Sequence, residues 1–487
     1  MTAKKYPAMQ SLDFGRLDAK EEAVVSPELL RSGYYDFEKA AYRVARGEGW
    51  VLVGPKGAGK TASIEHLNLL WSGRHDCFLD RWELASFPVA DVAALQVGGS
   101  PGPTSTRAAW EFLLLLRIFA SLMRDQGASY PVEVTGFYKS LVKAGLIGPE
   151  DLRTRFDDWS KSTVKFTVLF FTYENESGEI EATPLQLVEL LKRAIEMVRT
   201  ESRHLLAIDG LDSFFAQSET QNESLGALLD AAYEINTLLR AQSQASILLA
   251  IRHDMFAKVP STDSAKLGDH AVELDWSRGG AGAGNELWNL VNAKVKASIP
   301  GSFDGLTLGD VRKAYLANPI GIGPFVDIPS YFLSHTRLLP RDLVALLREL
   351  QQLHKGSGQV RQEVAKEAVR LYSETYFVRE ITNNLSRVLP SASSEKVSVL
   401  IDALSALSSR TFNVKALQPE LDGFISNDEL RILLKQLFLV GALGVRTKNQ
   451  GTMHTNFSFR RTAGGGFSFI SDYVLHNSLV VAWNLNW

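Results

Sequence analysis

Cysteine is almost absent: Cys77 stands alone in 487 residues. The chain therefore forms no internal disulfide and no cysteine-ligated zinc site. A lone thiol of this kind is expected to be a small buried hydrophobe. An excess of charge of one sign is missing too. Lys and Arg number 52 against 55 Asp and Glu, a formal net charge of −3. That excludes a general nucleic-acid coat and leaves room only for a local basic face. No stretch approaches the roughly 20 consecutive apolar residues of a membrane span. The greasiest segment, Leu113 to Leu116, is soon followed by Arg117, Arg124 and Asp125. The start Met1-Thr2-Ala3-Lys4-Lys5 runs into no apolar segment, so no signal peptide is expected, and the expected compartment is the cytoplasm, without membrane contact. Internal repeats of about 20–50 residues are also absent.

What remains is ordinary globular composition, 45% hydrophobic and 22% charged, at a length that suits several modules. Trp50-Val51-Leu52-Val53 is a short apolar run of the buried-strand kind. It leads at once into Gly54-Pro55-Lys56-Gly57-Ala58-Gly59-Lys60-Thr61-Ala62, and Ala62 to Leu70 reads as a helix. Strand, glycine loop and helix in that order fit a phosphate-binding loop. Its backbone N–H groups wrap phosphate oxygens, aided by the dipole of the following helix. On this reading Gly54 through Ala62 hold ATP, in preference to GTP. Lys60 sets its charge against the β and γ phosphates, and the Thr61 hydroxyl ligates Mg²⁺.

Two further buried-type runs end on polar residues. Leu205-Leu206-Ala207-Ile208 ends at Asp209, where a carboxylate holds Mg²⁺ through water. The glutamate that often follows is replaced by Gly210, and the next acid is Asp212. Two roles fit Asp212: the base that orients water, or a turn residue bonded to its own backbone. Ser246 to Ile251 ends at Arg252, which is expected to reach the γ-phosphate or to stand as a surface arginine. Asp254 is placed to orient it. In Thr336-Arg337-Leu338-Leu339-Pro340-Arg341-Asp342, proline and an acid mark a helix start. Arg341 there is either a γ-phosphate contact or half of a structural Arg–Asp pair.

The predicted layout is an α/β chain: a parallel-sheet P-loop NTPase core, a helical lid and a carboxy-terminal winged-helix domain. Residues 1–46 read as a polar amino-terminal arm and 47–285 as the core. Within the core, 95–180 is a mainly helical insertion, with helices near 106–124, 131–143 and 149–160, a strand over 164–173 and an acidic turn over 174–181. Residues 286–390 form the lid and linker. Over 391–487, helices near 394–407 and 426–439 precede strands flanking a polar tip, Lys448 to Thr455. Residues 440–487 carry Arg446, Lys448, Arg460 and Arg461 against one acid, Asp472. Such a wing lies on a DNA backbone, or the module docks protein. The second helix mixes Arg431 and Lys435 with Asp428 and Glu429.

These elements in this order resemble the AAA+/STAND division of P-loop ATPases. Asp209-Gly210-Leu211-Asp212 is similar to a NACHT-type Walker B box, and Leu339-Pro340-Arg341-Asp342 to the lid motif of origin-recognition-type ATPases, with leucine in place of its first arginine. The chain also resembles a family of bacterial P-loop ATPases found beside defence genes. The shared features are Phe14 to Ala19, Arg252-His253-Asp254, Gly441 to Gly444 and His476-Asn477-Ser478-Leu479. The resemblance implies an ATP-driven switch, a homo-oligomer, and a partner that is DNA or an effector protein. In that picture Lys60, Asp209, Asp212, Arg252 and Arg341 carry hydrolysis. A non-hydrolysing scaffold and a DNA loader are the alternatives.

Overall fold

The structure, a computed structural model, describes residues 6–84, 103–148, 166–171, 177–182, 184–211, 219–242, 244–257, 264–282, 284–299, 310–322, 324–386, 393–449, 452–459 and 466–487. In chain order its first strands are β1 (Val51–Val53), β2 (Cys77–Glu83), β3 (Phe166–Phe171), β4 (Ser177–Ala182), β5 (Arg203–Asp209), β6 (Gln244–Ile251) and β7 (Ala271–Glu273). Five of these form one all-parallel sheet in the order β2-β5-β6-β1-β7. The central strands β5, β6 and β1 are buried nearly throughout, as a sheet covered on both faces requires. That is why they read as unbroken apolar runs.

The chain divides into two compact units. One spans Glu38–Gly54 and Ser63–Leu274 and contains the sheet. Its helices include Pro103–Met123, which packs on both Pro184–Met197 and Glu219–Gln242. Trp110, Phe112, Leu113 to Leu116, Phe119 and Leu122 are all fully buried there. A helix with so long an apolar run belongs in a core, and this one is buried between its two neighbours. No helix among the described residues is long and apolar enough to cross a membrane.

Two expectations in this unit need correction. Most of the acidic turn expected over 174–181 is not a turn: Ser177–Ala182 is a strand, β4, paired antiparallel with β3. Val168 and Ala182 are buried, and the antiparallel pairing holds the segment extended despite its acidic composition. The sheet also has strands that apolar runs did not reveal, β2 and β7. The predicted helix near 149–160 lies outside the described residues.

The other unit comprises Met1–Phe37, Pro55–Ala62 and Asp275–Trp487. Its amino-terminal stretch is more apolar in its contacts than its composition suggests, with Met9, Leu12 and Phe14 buried. Asp18 accepts a hydrogen bond from the Lys20 N–H and starts helix Ala19–Val25. At Gly15, φ +96°, an added Cβ would lie 2.7 Å from Glu22 Oε2. The lid helices are Leu287–Ser298, Ile328–Ser334, Pro340–Leu353 and Gln362–Tyr372, then a π-helical turn, Ser373–Phe377, and Val378–Leu385.

The carboxy-terminal part runs through helix Ser393–Ser405, strand Thr411–Phe412 and helices Val414–Leu421 and Asn427–Leu439. Strands Leu443–Asn449, Thr452–Phe457 and Asp472–Leu475 follow. The last strand lies between Thr411–Phe412 and Leu443–Asn449 in a four-stranded sheet whose outer hairpin is the wing. The predicted capping box forms, with Ser426 N–H donating to Glu429 Oε2 (3.0 Å) and Glu429 N–H to Ser426 Oγ (3.3 Å).

Under the sheet, His204 is buried among Ser121, whose Oγ lies 3.0 Å from Nδ1, and Asp125, 3.5 Å from Nε2. Burial pushes its pKa down to about 4 despite the carboxylate. A depressed folded pKa gives stability that is complete above the unfolded value, about 6.5, and is lost as pH falls toward 4. The imidazole nitrogen shifts of His204 should therefore stay those of a neutral ring down to pH 5. A titration midpoint near 6.5 by NMR would show that burial does not control this side chain.

Candidate functional site

The glycine loop is curled on itself. The Ala58 N–H and the Lys60 ammonium both donate to the Pro55 carbonyl, each at 3.2 Å. Lys60 is buried, 6% exposed. Gly57 has φ +89° and Gly59 φ +104°, values that favour glycine and turn successive N–H groups inward. A Cβ on Gly57 would also lie 3.1 Å from Arg341 Cβ. The loop is thus tightly curled, with Arg341 crowding any side chain at Gly57 and open space at Gly59.

Three lid contacts fix the loop, all within the second unit. The Lys56 ammonium pairs with Glu380 at 2.9 Å. Burial is the largest influence and would raise the Glu380 pKa, but the Lys56 hydrogen bond and the charges of Lys56, Arg337 and Arg341 together hold the carboxyl below the ordinary range. The Trp276 indole N–H donates to the Ala58 carbonyl at 2.9 Å. The Arg341 N–H points at the Gly57 carbonyl at 3.4 Å, while its Nε donates to the Leu17 carbonyl at 3.0 Å. One arginine so bridges the loop and the amino-terminal Phe14–Ala19 motif. Among the described residues its two terminal amino groups make no hydrogen bond.

The neighbour of Arg341 in the chain, Asp342, is fully buried. Asp342 accepts from Arg337 Nε (2.8 Å), from Arg337 Nη2 (2.6 Å) and from the Arg337 backbone N–H (3.0 Å). Burial alone would lower the Arg337 pKa; the carboxylate reverses this and keeps the guanidinium charged. The turn between them places Leu338 at φ +55°, a left-handed conformation rare for leucine. Of the two roles open for the Arg–Asp pair, the structure gives the structural one to Arg337, leaving Arg341 beside the loop.

The same turn is tied to the wing module. His476 Nε2 donates to the Thr336 carbonyl (3.2 Å), and its Nδ1 accepts from the Ser478 N–H, which fixes the tautomer. The Asn477 amide donates to the Ser334 carbonyl at 3.0 Å, and the Ser478 hydroxyl to that of His335. Phe377 stacks on His476 at 4.7 Å, with the Arg337 guanidinium 5.4 Å from its ring. The His476–Leu479 motif is therefore the anchor of the lid turn.

In the sheet unit, β1, β5 and β6 are parallel, so Val53, Asp209 and Ile251 finish at one edge. The Asp209 carboxylate accepts from the Gly210 N–H at 2.8 Å. Arg252 and Asp254 form a two-point pair, Nε–Oδ1 2.9 Å and Nη2–Oδ2 2.8 Å, as the orienting role for Asp254 requires. Asp212 lies outside the described residues. Sequence reading missed Glu83, which ends β2 in register with Asp209, its Cα on the adjacent strand. The strand signal was hidden by Asp80 and Arg81. Lys56 was read as part of the loop, but nothing in the spacing pointed to its partner Glu380.

The order β2-β5-β6-β1-β7 sets the Arg252 strand between the loop strand and the Asp209 strand, with the glycine loop leaving β1. This is a P-loop NTPase fold. Among solved structures, the chain aligns with the crystal structure of Cdc6p from Pyrobaculum aerophilum. That alignment has 11% identity over 91% of this chain and 93% of that one, with a TM-score of 0.33. No family model matches the chain, and no curated protein matches it in sequence. The fold assignment rests on the strand order and the loop.

In the wing module, Glu429 is engaged by Lys396 as well as by its cap, and Arg431 and Lys435 stand exposed on the same helix. Arg446 and Lys448 lie on the wing strand, while Arg460 and Arg461 lie outside the described residues. Replacing Asp342 with alanine would strand the Arg337 charge in the core, a change that typically costs about 3–5 kcal/mol. Urea unfolding of D342A should show a loss of that order. A loss below about 1 kcal/mol would mean the pair is incidental.

Proposed function

We propose that the chain is an ATP-binding and ATP-hydrolysing switch of the AAA+/STAND kind, acting as a defence-associated or DNA-associated regulatory ATPase. One observation carries this reading: the loop, lid turn and wing module are joined in series, Lys56–Glu380 and Gly57–Arg341 at one end, Arg337–Asp342 and His476 at the other. A change at the loop has a short packed route to the wing. Closure around a nucleotide is a common way for a γ-phosphate to be read out.

The donors fit a Mg²⁺-nucleotide: a curled loop with glycines in the left-handed region, a buried lysine, a threonine at the helix start, and a carboxylate ending an apolar strand. On this reading residues 54–62 bind the phosphates, and Thr61 and Asp209 direct the metal, which offsets charge on the transferring phosphoryl group. Arg252, aligned by Asp254, and the free end of the Arg341 fork face developing γ-phosphate charge. Two acids compete to orient the attacking water, Asp212 and Glu83. The wing module is the output, binding DNA or an effector protein, and assembly into a homo-oligomer multiplies its contacts.

Gly210, in the place of a water-orienting glutamate, favours a second reading, a non-hydrolysing scaffold. Phosphate release at multiple turnover separates the two. K60A should lose tight nucleotide binding, and D209N should bind but not turn over. E83Q should slow turnover by at least about tenfold if Glu83 holds the water, as loss of a positioned base does. A wild-type rate for E83Q leaves the role to Asp212; no turnover by the wild-type chain favours the scaffold.

DNA binding is tested by titration at two salt concentrations, with and without a non-hydrolysable ATP analogue. A phosphate-only wing should give a log–log salt slope of roughly −0.9 per phosphate neutralised, little sequence preference, and tighter binding with the analogue. Absence of binding in all four conditions would assign the wing to protein docking.

A further inference from the structure

The sheet unit has a cavity of about 400 Å³ at the edge opposite Asp209, where β5 and β6 begin. Arg203 opens β5 and Gln244 opens β6, each lying roughly 20 Å of strand from the Asp209 edge at about 3.3 Å per residue. Three separate segments bring an arginine to this cavity: Arg46 from the turn before β1, Arg203 from β5, and Arg240 from the last turn of helix Glu219–Gln242. Glu48 is the one carboxylate among its lining residues, and Trp50 and Trp71 supply aromatic wall.

The charges are unequally spent. Arg46 donates from Nε to Glu48 at 2.7 Å and lies over the Tyr42 ring, so one cation is neutralised and fixed. Arg203 donates to the Ala45 carbonyl at 3.2 Å, which positions its guanidinium without cancelling its charge. Among the described residues Arg240 makes no ion pair or hydrogen bond. The Glu48 carboxyl is held below its ordinary pKa range by the Arg46 hydrogen bond, with the fields of Arg43 and Arg240 adding to it. Unpaired positive charge remains in a concave site, and the neighbouring buried groups do not offset it. His204 is turned toward Ser121 and Asp125, and Asn236 is committed to the Ile247 backbone.

We propose that this cavity binds a small phosphate monoester, with Arg203 and Arg240 around its dianion and the tryptophan-lined wall against its carbon skeleton. Guanidinium forks match phosphate oxygens in geometry and stay charged at all relevant pH. A volume near 400 Å³ suits a sugar phosphate or nucleoside monophosphate and excludes a folded macromolecule. The site shares no residue with the glycine loop and does not depend on the proposed ATPase.

Calorimetric titration of the full chain carrying Lys60→Ala, which removes the loop as a competing phosphate site, tests this. The probes are ribose 5-phosphate, AMP and inorganic phosphate. The first two should bind saturably, inorganic phosphate more weakly, and added salt should weaken all three. Arg203→Ala with Arg240→Ala should weaken ribose 5-phosphate at least tenfold, with an unchanged circular dichroism spectrum. Should the double variant misfold, Arg240→Gln alone must weaken it at least threefold. Equal binding by the variants, or no saturable binding of any probe at millimolar concentration, overturns the proposal.

Discussion

A guanidinium and a carboxylate sealed together beneath the lid, Arg337 with Asp342, set the geometry on which the lid and wing depend. Withdrawing both ions from water costs several kcal/mol each, and only a complete set of bonds offsets it. Here the carboxylate takes three N–H donors from one residue and a fourth bond from the Tyr376 hydroxyl, at 3.2 Å. That closure bends the chain through Leu338 in a left-handed conformation and leaves Pro340 at the first turn of the lid helix. Asp342 in the first turn also meets the positive end of the helix dipole. With the next residue, Asp342, pinned, Arg341 leaves the helix toward the Leu17 carbonyl.

Main-chain carbonyls do most of the joining around that pair. Leu17, Gly57 and Ala58 receive donors from the lid, and Ser334, His335 and Thr336 receive donors from the carboxy-terminal segment. Carbonyls cannot be altered by substitution, so specificity rests on the donors, Arg341, Trp276, His476, Asn477 and Ser478. Segments more than 300 residues apart in sequence, 14–19 and 339–342, meet by this means.

The legible parts of the sequence were those where burial or backbone chemistry leaves a local trace. Continuous apolar runs gave β1, β5 and β6 because both sheet faces are covered, and Ser426 to Glu429 gave a helix start because the cap is local. The glycine loop was legible for the same reason. β2 was not, since Asp80 and Arg81 interrupt it, and β4 hid within an acidic stretch. Pairings between distant residues, Lys56 with Glu380 and Arg337 with Asp342 against His476, have no sequence period at all. For the Arg–Asp motif, sequence left Arg341 as either a γ-phosphate contact or half of a structural pair; packing pairs Asp342 with Arg337 instead.

The charges that concealed β2 have a use of their own. As the last strand in the sheet order, β2 pairs through its backbone among the described residues on one side only, with β5. An open strand edge is a template on which another chain can add a strand. Asp80 lies 3.7 Å from Arg117 and 3.9 Å from Arg124, and Arg81 pairs with Glu65 at 2.5 Å. A foreign strand docking at this edge would have to accommodate fixed charges of both signs at successive positions. The interruption that spoils the apolar pattern thereby protects the sheet from growing into an aggregate.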